Sequence, residues 1–168
     1  MLRLAGTVES WNVFFTGELT AASAFAGLLF VSLSMNQKRI LEVERMADRG
    51  LEALVMLLLV VITASVVLVP GQPARLVGAE IAMAGLLTFG QILRLQKIYM
   101  PLIESAYRSR ALSLTWMNRV AVGLIVSGGA FLLITGDARS LYLVPLGVLL
   151  SFIAAGLSAW ILLIEINR

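Results

Sequence analysis

Cysteine and histidine are both absent from the 168 residues. Without cysteine there is no disulfide, thiolate ligand or thiol nucleophile, and redox compartment leaves no mark. Without histidine the commonest general base and the usual haem and zinc ligand are missing. Charge is scarce: Asp, Glu, Lys and Arg make up 14% of the chain, against about a quarter in soluble domains. Several catalysts drop out with their parts. A Ser–His nucleophile has no base. An intramembrane aspartyl protease needs two Asp within apolar spans, and Asp48 and Asp137 both fall in linkers. A retinal Schiff base needs a buried Lys, and Lys38 and Lys97 sit at span edges. No Gly-rich phosphate-cradling loop occurs. The reading is of a non-enzyme with no catalytic, metal or cofactor site.

What is present is apolar surface. Hydrophobic residues make up 60% of the chain and the mean hydropathy is +0.94. That composition predicts one all-α domain over residues 1–168, a polytopic integral membrane protein surrounded by lipid. The formal charge of +3 does not point to nucleic acid, because the basic residues sit between apolar runs. They read as topology signals.

The run from Trp11 to Asn36 has no Pro, Lys or Arg, and is long enough for a hydrocarbon core of ~30 Å. Its one acid, Glu18, separates it from a signal peptide, whose apolar core excludes acids. Small residues recur at four-residue spacing (Gly17/Ala21, Ala22/Ala26, Ser23/Gly27), which lets another helix approach closely. Ser10 is placed to cap this helix. Five spans are expected, at about 11–36, 51–69, 77–99, 119–135 and 141–166. The linker NQKRILEVERMADRG (36–50) reads as a short helix or helix extension. PGQP at 70–73 makes a tight turn between spans two and three. Pro101 is expected to kink or end a helix, and the segment around it reads as interfacial and amphipathic. TGDARS (135–140) is a turn. Ser151, Ala155, Ser158 and Glu165 form a weakly polar face on the fifth span. Trp116 and Trp160 are interface anchors, unless Trp160 packs inside.

The linkers after spans one and three, with the adjoining span ends, carry Lys38, Arg39, Arg45, Arg49, Arg94, Lys97, Arg108, Arg110 and Arg119; the other side carries only Arg3, Arg75 and Arg139. The positive-inside rule then puts the N-terminus outside and the C-terminus in the cytoplasm.

Glu18 lies about 10 Å inward from Trp11 on this topology. Glu80 enters from the same side. Two carboxylates at similar depth read either as a cation- or proton-attracting vestibule or as protonated packing groups. Glu80, Ala84, Leu87, Gln91 and Arg94 share one helical face, which should turn toward protein or water. Gln91 and Arg94 are candidates for a pore mouth, with snorkelling of Arg94 as its alternative. Glu52 reads as a helix-start acid or a salt bridge to Arg49 or Arg94. Ser32, Ser34 and Asn36 read as polar groups bonding across helices. So small a bundle has little interior for its acids, which suggests a homo-oligomer.

At GLLFVSLSMN (27–36), RGLEALVMLLLVVITASVVLVPGQ (49–72) and GAEIAMAGLL (78–87), the first half of the chain resembles a group of small bacterial multi-span proteins, some labelled modulator of FtsH protease. The resemblance implies a bacterial inner-membrane protein that binds a membrane protease and catalyses nothing itself. Three functions are therefore expected, in order: an oligomeric channel or transport-like protein with Glu18 and Glu80 on a cation or proton route; an accessory or regulatory subunit of a membrane-protein partner, such as a protease or respiratory assembly; and a lipid-interacting structural protein.

Overall fold

The computed structural model describes residues 7–42, 46–103 and 105–164. Six α-helices follow one another: α1 (Asn12–Met35), α2 (Gln37–Glu42), α3 (Met46–Val67), α4 (Ala74–Tyr99), α5 (Ser105–Thr135) and α6 (Leu143–Ile164). No strand occurs among the described residues. Five helical stretches are long and apolar enough to cross a membrane: Val8–Met35, Ala47–Val67, Ala74–Leu102, Tyr107–Thr135 and Ala138–Ile161. Large apolar side chains such as Val13, Leu58, Leu87 and Ile134 point outward from them. A hydrocarbon solvent tolerates that surface and water does not.

The helices α3 to α6 form a four-sided bundle, with α3 against α4 and α6 and α5 against the same two. An apolar core fills it, including Met56, Val60, Ile81, Ile92, Ile125 and Val148. α1 lies outside this square. It packs along α3 and less extensively along α6, and makes no substantial contact with α4 or α5. Its buried seam is narrow, with Phe15, Ala22 and Leu29 spaced seven apart. Trp11 anchors its start, edge-on to Tyr142 at 4.7 Å.

The turns follow local chemistry. Gly71 in PGQP takes φ +71°, open to glycine at little cost, and Pro73 then starts α4 in extended geometry. Gly136 ends α5 at φ +70°, its N–H bonded to the Leu132 carbonyl at 2.8 Å. These turns and the start of α1 share one end of the bundle, here the turn end.

Several expectations change. Ser10 does not cap α1: its hydroxyl donates to the Thr7 carbonyl at 2.7 Å, within a 3₁₀ turn at Val8–Trp11. The linker after span one holds the expected short helix, α2 (Gln37–Glu42), but α3 begins at Met46, before Leu51. A 3₁₀ turn containing Pro101 does end α4. The segment beyond it is not a separate interfacial helix. α5 runs unbroken from Ser105, because nothing after Pro101 breaks a helix and Ala111, Leu114, Thr115 and Asn118 pack into the bundle. Trp116 and Trp160 both face outward. Ser151 and Ala155 are buried. Arg3, Arg45 and Glu165 lie outside the described residues.

Candidate functional site

Four of the buried polar residues, Glu52, Gln96, Thr115 and Asn118, collect at the end opposite the turns. Glu52 sits in the second turn of α3 and is 3% exposed. Gln96 and Tyr99, three apart in the last turn of α4, share the face turned toward it. Asn118 reaches it from α5. The Gln96 amide donates to Glu52 Oε1 at 2.6 Å and the Asn118 amide to the same oxygen at 2.8 Å. The Tyr99 hydroxyl donates to Oε2 at 2.6 Å. Three donors from two other helices thus converge on one carboxylate. That arrangement offsets the cost of removing it from water.

A second ring of contacts holds the first. Arg119 Nε–H donates to Gln96 Oε1 at 2.8 Å, which fixes which end of the amide faces Glu52. The same guanidinium lies 5.3 Å from the Trp116 ring, a cation–π distance. Arg49, one turn before Glu52, lies 6.0 Å from the Tyr99 ring. Thr115 returns its hydroxyl to the Ala111 carbonyl at 2.8 Å. Asn118 Oδ1 is buried without a hydrogen-bond partner.

The expected pairing of Glu52 with Arg49 or Arg94 therefore gives way to uncharged donors. Arg49 is engaged at the ring of Tyr99, and Arg94 is exposed on the far side of α4. Chemically the cluster is a clamp. Both carboxylate oxygens are occupied by donors, and no group of three metal-ligating side chains occurs among the described residues.

The other candidates are scattered. Glu18 is half-buried on α1, with no hydrogen bond or ion pair among the described residues. Glu80 on α4 accepts from the Gln72 amide at 2.7 Å, which ties the PGQP turn to its helix. The two acids lie at similar depth, but α3 stands between their helices and they do not form a pair. Gln91 and Arg94 are exposed, as is Leu87 beside them. The polar face of α4 thus points out of the bundle. Its inward face is Gly78, Ile81, Gly85, Thr88, Ile92, Gln96 and Tyr99. Ser32 and Ser34 do not bond across helices: their hydroxyls return to the Leu28 and Phe30 carbonyls at 2.8 and 2.9 Å. Asn36 likewise donates to the Ser32 carbonyl. A hydroxyl four residues on satisfies itself against its own helix without a neighbour.

Gln96, Tyr99, Asn118 and Arg119 carry no motif. Their one signal in the sequence is depth: with antiparallel spans, the start of α3, the end of α4 and the first half of α5 fall at one level. Comparison of the chain with protein-family models, curated proteins and solved structures finds no match in any of the three.

Proposed function

We propose that this chain is a non-catalytic, multi-pass membrane protein acting as an accessory or regulatory subunit, docked to a membrane-protein partner through α4. The observation that carries this reading is the outward placement of Gln91 and Arg94 on a helix long and apolar enough to span a bilayer. Gln91 lies about 25 Å along α4 from Ala74, in the last turn before the hydrocarbon boundary rather than beyond it. A side-chain amide facing acyl chains is costly, and a neighbouring helix that hydrogen-bonds it removes the cost. α1 supports the same reading. Gly17 and Gly27 have open space where a side chain would stand, so a second helix has room to approach. The bundle's own interior is an apolar core, and its best-buried acid is held by three donors. The charge asymmetry of the linkers favours an outside N-terminus and a cytoplasmic C-terminus. The resemblance in the first half favours a bacterial inner membrane and a protease as partner.

The test is photo-crosslinking from position 91 in intact membranes. A photoreactive residue replacing Gln91 is expected to give a discrete adduct with a different protein. The same residue at Leu58, on an apolar outward face of α3, should give none. Adducts with lipid alone at both positions would overturn the proposal.

A second reading has one observation of its own. Glu18 sits unpaired in an apolar helix, as an acid lining an axis between copies would. In that case a photoreactive residue at the exposed Ala21, one turn from Glu18 on α1, gives an adduct of twice the 18.1 kDa mass of the chain. Cation or proton flux into vesicles should then fall at least several-fold in Glu18→Gln and Glu80→Gln. Equal flux in wild type, both variants and empty vesicles removes the channel reading.

A further inference from the structure

α5 and α6 touch closely toward the turn end and part toward the other. A side chain at Gly147 would meet the Ala121 carbonyl at 2.5 Å and Ile125 Cγ1 at 2.7 Å, and one at Gly128 would meet Val144 Cγ2 at 2.7 Å. No such glycine contact holds the helices together beyond Ala121, and a groove of about 340 Å³ opens between them. Leu114 and Met117 of α5 and Leu157 and Trp160 of α6 line it. Arg110 and Ser113 stand at the end farthest from the turns.

Depth gives this groove its chemistry. The 31 residues of α5 extend about 46 Å, well beyond a hydrocarbon core of ~30 Å. With the Thr135 end at one boundary, the core ends close to Met117, and Arg110 projects into the headgroup layer. Trp160, about 26 Å along α6 from Leu143, reaches the same boundary. The groove therefore has a basic and hydroxyl-bearing mouth at headgroup level, an indole at the interface and apolar walls below.

We propose that this groove holds one anionic phospholipid. Its phosphate lies against the Arg110 guanidinium and the Ser113 hydroxyl, and one acyl chain runs between Leu114, Met117 and Leu157. A guanidinium has five N–H donors in a planar fork, enough to serve a phosphate alongside another contact. The volume, at the low end for small-ligand sites, takes the first part of one chain while the headgroup stays wet. The proposal rests on the membrane-spanning part of the reading above and not on any docking partner, because α4 presents a different face.

The experiment is native mass spectrometry of detergent-purified protein titrated with phosphatidylglycerol or phosphatidylcholine. Wild type is expected to retain phosphatidylglycerol about tenfold more tightly, because both lipids offer a phosphate but the headgroup ammonium of phosphatidylcholine offsets it beside Arg110. Arg110→Gln should abolish that preference. Leu157→Trp should fill the groove and reduce retention of the same lipid several-fold, whereas Arg139→Gln at the turn end should retain it as wild type does. No headgroup preference in wild type overturns the proposal, and so does wild-type retention in both Arg110→Gln and Leu157→Trp.

Discussion

Glu52→Ala is expected to lower the stability of the bundle by about 3–5 kcal/mol, the cost of stranding three buried hydrogen-bond donors at once. The loss is larger than that of a side chain's packing because of what remains. The Gln96 and Asn118 amides and the Tyr99 hydroxyl would all point into a space with no acceptor. Each buried donor left without a partner costs about 1–3 kcal/mol. Thermal unfolding in detergent, followed by circular dichroism, should show a midpoint lower by roughly 10 °C. Tyr99→Phe removes a single donor and should cost about 1–2 kcal/mol. Glu52→Gln keeps the volume but turns an amide NH₂ toward a group that donates, and should fall between the two. Glu42→Ala, on the exposed face of α2, should stay within about 0.5 kcal/mol of wild type. A Glu52→Ala protein as stable as Glu42→Ala would mean that the carboxylate does not hold the three helices together.

The five stretches long and apolar enough to cross a membrane, and both turns, were legible in the chain because they depend on local signals. Hydropathy marks the length of a span, and Pro70, Gly71, Pro73 and Gly136 mark where the chain reverses. Which helices touch is not local. On α4 two faces compete for the interior. Periodicity groups Glu80, Leu87, Gln91 and Arg94, and the cost of polar groups in lipid argues for turning them toward protein or water. Gly78 and Gly85 lie on another face, and the close approach of α5 at those glycines decides the matter. Backbone contact is open only to the small face, so the polar face is left outward. The start of α5 escaped for a different reason. Arg108, Arg110 and Arg119 dilute its hydropathy, although Ala111, Leu114 and Asn118 still pack inward at helical spacing. The Glu52 clamp needed the antiparallel register of three spans, and a single residue's neighbours in sequence do not contain it.

The contact between α4 and α5 is the second place where one substitution should have a large effect. At Gly78 an added Cβ would run into three backbone atoms of α5: the Leu133 nitrogen, the Gly129 oxygen at 2.7 Å and the Leu132 carbonyl carbon at 2.9 Å. Across the contact, a Cβ at Gly129 would meet the Ala82 nitrogen at 2.7 Å. Backbone cannot rotate aside as a side chain can, so the helices must separate. Gly78→Val is therefore expected to cost at least about 3 kcal/mol, the upper range of overpacking. Much of the protein should then be lost to aggregation on extraction, read as a reduced monodisperse peak in size-exclusion chromatography. Gly78→Ala should show the same defect more mildly. Gly90→Ala is the control, because the space around Gly90 is open; better helix propensity should make it neutral or more stable by up to about 1 kcal/mol. Gly78 and Gln96 are about 27 Å apart along α4. Glu52→Ala and Gly78→Ala share no contact, so their costs should add to within about 0.5 kcal/mol. A double variant much less destabilised than that sum would mean that the glycine contact and the clamp hold α4 as one rigid lever, so that releasing one end already forfeits the other.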